Sequence, residues 1–398
     1  MTDRAERLRA LVAARSLADR NSAPVESVDL EDAASAPPGA HEVTARVEQA
    51  LADRVEHLPP DDVGDPRYYQ RALELLLEII GRVVRRLDRD PRAPLAPDDV
   101  LALETVVRTD GSRPTLPVRD AAVDPDHPLA GEWAGALRTT RERLRDPIRA
   151  IGRIEPAGAT ARSFFGTGWL VDAGAGLVLT NLHVMEAIWK RLPHRVEPTE
   201  RGFRILDSVF IDFAGESGRS RTDRYRVVEA TGSEVDGPTY ERLDAAVLRI
   251  EPTAESDTEP LAAIPVVADL SGPQGDLGSF CVIGFPAPPA YPGGVSEEVD
   301  WSWINTTLFG NRYGVKRLAP GVTHLPLGTV QEDPRRWVFG YDATTVGGSS
   351  GSPLLTWLDE VPTAFGWHFA GSSTVTNVAH AVAAAADQLR SMGVPVRE

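Results

Sequence analysis

The sequence predicts a mainly α-helical N-terminal domain followed by an all-β domain built as two six-stranded antiparallel barrels. Three observations carry this. Before Ile151, apolar residues recur at helical spacing. After it, the runs are short, β-branched or aromatic, and punctuated by Gly and Pro. The stretch from Ile151 to the end, about 250 residues, suits two barrels of about six strands each. The expected divisions are 1–42 (an N-terminal helix and flexible linker), 43–150 (a helical domain) and 151–398 (the β domain).

Taken in order, residues 1–20 read as a helix with Leu8, Leu11, Val12 and Leu17 on one side, and 21–41 as an Ala/Pro/Ser-rich acidic linker. Val43–Leu58 is a second amphipathic helix, stopped by Pro59-Pro60. Arg67–Leu87 has the clearest helical pattern, with Leu73, Leu76, Leu77, Ile80, Val83, Val84 and Leu87 on one apolar face. Arg82, Arg85, Arg86 and Arg89 fall near its C-terminal end, where positive charge complements the helix dipole. Pro97–Val107 reads as a shorter helix, Thr115–Val123 as a strand and Leu129–Arg149 as helix again. The expected strands are Phe164–Val171, Leu177–Thr180, Val209–Phe213, Tyr225–Val228, Ala245–Ile250, Phe280–Ile283, Trp301–Leu308, Trp337–Tyr341, Ser352–Trp357 and Ala364–Ala370. Ala-rich Ala379–Met392 reads as a closing helix.

Composition narrows the function. A net charge of −16 argues against a general binder of nucleic acid or anionic membranes. Lys190 and Lys316 are the only lysines, and Cys281 is the only cysteine, so no intrachain disulfide forms. Residues 1–20 are charged and lack the apolar core of a signal peptide, and no run reaches the ~18 apolar residues of a membrane span. The expectation is a soluble cytoplasmic protein.

The stretch Gly347-Gly348-Ser349-Ser350-Gly351-Ser352-Pro353 organises the rest. Glycines at this density let backbone N–H groups converge on one point, as stabilising an oxyanion requires. With Ser350 as nucleophile, the N–H groups of Gly348 and Ser350 are the donors. A rival reading takes Gly347–Gly351 as a G-x-S-x-G elbow with Ser349 attacking. That elbow needs an apolar strand before it, a helix after it and the order Ser…Asp…His. The preceding Tyr341–Val346 is mostly polar and Pro353 follows closely. Upstream, His183 follows the apolar run Leu177-Val178-Leu179, and Asp244 opens the apolar run Ala245–Leu248. The order His183…Asp244…Ser350 supplies what a hydroxyl nucleophile needs: an imidazole to take its proton and a carboxylate to hold the imidazole's tautomer.

These stretches resemble the trypsin/chymotrypsin-like serine proteases, nearest the bacterial branch of glutamyl endopeptidases. Gly166-Thr167-Gly168-Trp169-Leu170-Val171 with Thr180-Asn181-Leu182-His183-Val184 is similar to G-T-G-[FW]-x-V…[LI]-T-N-x-H-V. Asp244–Ile250 is similar to D-x-A-[LV]-[LI]-x-[LV], Val282–Pro286 to V-x-G-[FY]-P, and Gly347–Pro353 to G-G-[NSD]-S-G-S-P. The likeness runs from about Ile151 to the C-terminus and leaves the N-terminal 150 or so residues unmatched. It implies a double β-barrel with His183 as general base, Asp244 as its orienter, Ser350 as nucleophile, and no metal or organic cofactor.

The specificity pocket implied by the resemblance involves Thr344, Thr345, His368 and Ser372. Trypsin-like enzymes place an Asp six residues before the nucleophile to bind Lys or Arg, and here that position holds Thr344. In glutamate-specific relatives a late-strand histidine lines the pocket, matched by His368, which equally reads as a structural histidine. The expected function is an intracellular serine endopeptidase acting on protein or peptide, its N-terminal helices regulating it or meeting a protein partner or sensor, in a bacterial signalling or defence setting. The alternatives are a catalytically silent recognition module on the same fold, or an esterase.

Overall fold

A computed structural model describes residues 40–57, 65–90, 93–94, 96, 98–99, 101–102, 114–127, 129–160, 163–218, 222–232, 243–257, 259–271, 278–287, 299–309, 313–330, 333–345, 348–372 and 376–398. Among them the helices are α1 (Ala40–His57), α2 (Pro66–Arg89), α3 (Ala134–Thr140), α4 (Arg145–Arg149), α5 (Leu182–Arg191), α6 (Trp301–Phe309) and α7 (Val382–Ser391). The strands are β1 (Leu116–Arg119), β2 (Ala122–Val123), β3 (Ile151–Pro156), β4 (Gly166–Asp172), β5 (Leu177–Thr180), β6 (Val196–Thr199), β7 (Gly202–Ile205), β8 (Val209–Asp212), β9 (Arg224–Gly232), β10 (Ala246–Pro252), β11 (Val266–Val267), β12 (Ser279–Gly284), β13 (Arg317–Leu325), β14 (Val338–Tyr341), β15 (Pro353–Thr356), β16 (Ala364–Ser372), β17 (Thr376–Ala381) and β18 (Val396–Arg397). The expected helix at 1–20, nearly all of the linker and most of the expected helix at 97–107 lie outside the described residues.

The described residues form two compact units, one within Met1–Ser112 and Ala290–Asn311, the other within Arg113–Pro289 and Arg312–Glu398. In the first, α2 starts where Asp65 accepts a hydrogen bond from Arg67 N (2.9 Å) and Pro66 presets the first turn. Its apolar face is buried as its spacing predicts: Leu76, Ile80 and Val83 have no exposed surface. Tyr69 ties α2 to α1 by donating its hydroxyl to Leu51 O (2.8 Å). At the other end Arg86 pairs with buried Asp99.

The run Trp301–Leu308, expected as a strand, is helix α6 and belongs to this unit. Trp301, Ile304 and Leu308 sit at i, i+3 and i+7, all essentially buried, so helical spacing outweighs the β-favouring composition. Trp301 Nε1 donates to Asp98 Oδ1 (2.6 Å) and Asn305 Nδ2 to Trp301 O (2.9 Å).

The second unit holds two closed barrels. In the first, β10-β5-β4-β3-β8-β9 closes through β10 pairing β9, with the β6–β7 hairpin extending it. In the second, β12-β15-β16-β17-β14-β13 closes through β12 pairing β13. Closure leaves each six-stranded ladder without a free edge. An aromatic cluster fills part of the second barrel's core, with Phe280 packed edge-on against Tyr341 (5.6 Å) and Phe365 (5.4 Å).

Residues 113–150 group with the barrels, whereas the sequence places the join at 150/151. β1 pairs antiparallel with β13, Leu116 opposite Leu318. Leu116, Val118, Leu137 and Ile148 join the main apolar cluster. Fully buried Lys316 adds a polar tie, its Nζ donating to Ile148 O (2.7 Å) and Phe213 O (2.8 Å). Burial pulls the Lys316 ammonium down to about 8, against the opposing charge of Glu216.

Candidate active site

His183 lies in the first turn of α5, directly after β5, so a strand end and a helix start together fix its ring. Asp244 stands two residues before β10, which pairs with β5 along Ala246–Thr180. That ladder brings the two residues together. His183 Nδ1 and Asp244 Oδ2 are 2.7 Å apart, and the His183 backbone N–H donates to Asp244 Oδ1 (2.9 Å). Asp244 is fully buried, whereas the His183 side chain is 30% exposed.

The backbone of Asp244 is held just as firmly. Its carbonyl accepts from Asn181 Nδ2 (3.0 Å) and Trp367 Nε1 (3.0 Å), and its N–H donates to His380 Nε2 (3.3 Å). The two carboxylate oxygens are thereby left to His183.

Ser350 lies in the turn between β14 and β15. Gly348 and Gly351 adopt φ of +86° and +85°, which a side chain would strain, and a Cβ on Gly351 would stand 2.3 Å from Thr167 O. Ser350 is half-buried, whereas Ser349 is buried and its carbonyl accepts from Ser352 N (2.9 Å). Gly166 lets the Ser350 turn approach α5: a Cβ there would stand 2.7 Å from Val184 and 3.2 Å from Ser350 O. Among the described residues no hydrogen bond joins the His183 ring to the Ser350 hydroxyl, and neither Gly348 N–H nor Ser350 N–H has an acceptor. In substrate-free enzymes the first of these bonds is often long and tightens on binding.

His368 belongs to β16, where its N–H donates to Ser352 O (2.8 Å) and its carbonyl accepts from Gly351 N (3.2 Å). Its Nδ1 shares a 2.7 Å hydrogen bond with the Tyr341 hydroxyl, which Thr345 also bonds. Thr344 and Thr345 are buried beside this string, and the Ser372 side chain lies outside the described atoms. Among the described residues no cluster of His, Cys, Asp and Glu is arranged to hold a metal ion.

Sequence reasoning did not single out Trp367, Tyr341 or the side chain of Thr167, and considered His380 only as a base for the rival elbow, not as a support of Asp244. Each acts by bonding to another residue's backbone or to a buried ring, and spacing along the chain carries no trace of such contacts.

Two buried histidines give the region a pH dependence. Burial, reinforced by the nearby His183, pushes His368 down to about 3. Burial pushes His380 down to about 4, against the pull of Asp244. Both values lie below the ordinary 6.5, so the unfolded chain takes up protons that the folded chain refuses. The stability held by keeping them neutral is whole above pH 6.5 and is lost as the pH falls towards 4 and then 3, at roughly 1.4 kcal/mol per pH unit for each histidine. The urea midpoint is therefore expected to fall between pH 7 and 4.5, and His380→Gln to reduce that slope. Equal slopes for the two proteins would show that His380 is not the group being protonated.

Twin closed barrels that carry a histidine paired with a buried aspartate and a glycine-held serine turn are the architecture of trypsin-like serine hydrolases. The chain belongs to that family: residues 166–361 match the model of the trypsin-like peptidase domain. Over 394 residues it is 39% identical to a probable serine protease of Lysobacter enzymogenes, covering 98% of each chain.

Proposed function

We propose that this protein is a serine endopeptidase working through an acyl-enzyme, with Ser350 as nucleophile, His183 as general base and Asp244 as orienter. One observation carries the reading: Asp244 is buried, accepts at both carboxylate oxygens from His183, and so sets that ring's tautomer. With Nδ1–H directed at the carboxylate, Nε2 is left unprotonated and takes the hydroxyl proton as Ser350 attacks the carbonyl carbon. The oxyanion so formed is met by the N–H groups of Gly348 and Ser350. His183 then returns the proton to the leaving amine, and water repeats the sequence on the acyl-enzyme.

The test is reaction with a fluorophosphonate probe followed by mapping of the labelled residue. Label on Ser350 supports the reading. Label on Ser349, or none, overturns it.

The proposal extends to specificity. Buried Thr344 offers no negative charge to pair a cationic side chain, so Lys or Arg before the scissile bond would bear an uncompensated desolvation penalty. A Tyr341 hydroxyl donating to His368 Nδ1 leaves Nε2–H of that ring as a donor suited to a carboxylate. A peptide library is expected to show cleavage after Glu or Asp, and His368→Val to reduce cleavage after Glu more than after small apolar residues. Cleavage after Lys or Arg would refute the pocket assignment.

A cytoplasmic location and control by the helical unit complete the reading. The single cysteine, fully buried, leaves the fold independent of disulfides, which suits a reducing compartment. A separate helical unit fits the need of such an enzyme for restraint.

A further inference from the structure

The nucleophile turn has an unusual economy of carbonyls. Across residues 348–350 each of the three carbonyl groups is taken by a donor inside the protein. Thr167 Oγ1 donates to Gly348 O (2.9 Å), Ser352 N to Ser349 O (2.9 Å) and Thr167 N to Ser350 O (2.9 Å). Two of the three bonds thus come from one residue, on β4 of the other barrel.

Thr167 is itself fully buried, and each of its polar groups is engaged. Its hydroxyl oxygen accepts from Phe285 N (3.1 Å), next to the end of β12, while donating to Gly348. Its carbonyl accepts from Thr180 Oγ1 (2.7 Å), at the end of the strand that leads into His183. One residue, through its hydroxyl and its backbone, therefore joins the serine turn, the strand that leads into His183 and the second barrel. A valine here matches the shape but supplies neither the donor nor the acceptor.

Resting on the protease reading, we propose that Thr167 is a positioning residue for the oxyanion site: by fixing the carbonyls of Gly348 and Ser350 it pins the two peptide planes that flank the N–H of Ser350, one of which also adjoins the N–H of Gly348, and so limits how far either N–H can turn from the substrate oxygen. Gly348 adopts φ of +86°, and a glycine has no side chain of its own to hold its peptide in one orientation. The Thr167 hydroxyl supplies that restraint from outside the turn. It touches no substrate atom, so its effect falls on the step in which negative charge develops.

The experiment compares Thr167→Val, Thr167→Ser and the unaltered chain. Removing a direct oxyanion donor lowers kcat by 10²–10³-fold in other enzymes, so loss of a restraint on such a donor is expected to lower kcat by about 10–100-fold. KM should move less than about threefold and Thr167→Ser should recover most of the rate. A peptide aldehyde, which forms the oxyanion, should bind Thr167→Val more weakly by the same factor as kcat, while the matching peptide alcohol binds unchanged. A merely structural role would weaken both inhibitors alike. Should Thr167→Val not fold, Thr167→Cys keeps a comparable volume with only a weak donor and is expected to show the same pattern at smaller size. A kcat within twofold of the unaltered enzyme, or equal losses for aldehyde and alcohol, would overturn the proposal. Fluorophosphonate labelling of the unaltered chain keeps this apart from failure of the protease reading: a chain that labels at Ser350 yet is indifferent to Thr167→Val rejects the positioning role alone.

Discussion

Replacing Ser350 by alanine is expected to lower kcat by about 10⁶-fold while leaving the melting temperature nearly unchanged. The rate falls because the hydroxyl oxygen forms the bond to the acyl carbon, and a methyl group offers no atom in its place. Stability is spared because the Ser350 hydroxyl makes no hydrogen bond among the described residues, and the turn is held instead by its backbone. Ser349→Ala is the matched control. Ser349 is buried and its backbone carbonyl, which alanine retains, makes the bond to Ser352 N. Activity within about tenfold of the unaltered enzyme is expected for it, since it removes no member of the triad. Steady-state kinetics on a peptide substrate, with circular dichroism as the check on folding, decides the matter. An active Ser350→Ala enzyme would transfer the chemistry to Ser349.

Asp244→Asn is expected to cost about 10⁴-fold in kcat with the fold retained. An asparagine keeps its carbonyl oxygen for the His183 backbone N–H, which turns its amide NH₂ towards Nδ1 of the ring. Nδ1 must then accept, and the ring proton moves to Nε2, the nitrogen that has to receive the proton of Ser350. The fold survives because the backbone bonds from Asn181 and Trp367, and the one to His380, do not depend on the carboxylate. A fall of less than tenfold would mean that Asp244 does not set the tautomer.

Much of this arrangement is legible in the sequence because chemistry constrains residue type locally. A histidine after an apolar strand, an aspartate before one and a serine among glycines keep their identity and order whatever the loops between them do. The barrels are legible too, since strands such as Leu177–Thr180 carry their β-branched and apolar character on their face. The strand β13 is harder to see, because Pro320 and Gly321 interrupt it and are admitted only by their particular place in the ladder. Trp301–Phe309 misleads in the opposite sense: Trp, Ile, Thr and Phe favour strands, yet its buried residues line one helical face. The supports of Asp244, and those that Thr167 gives the serine turn, are invisible because they are contacts between distant segments, Thr167 reaching Gly348 across 181 positions.

The pairing of β1 with β13 bears on how the molecule is made. About 200 residues separate Leu116 from its partner Leu318. At a ribosomal speed of ~5–20 residues per second, β1 waits roughly 10–40 s for the strand it pairs with. The second barrel is complete only when β17 emerges and joins β14 and β16, close to the end of translation. The residues His183 and Asp244 therefore leave the ribosome long before Ser350 has a barrel to hold it. With Ser350 as nucleophile, a half-synthesised chain owns a base and no blade, and hydrolysis begins only once nearly all of the polypeptide has left the ribosome.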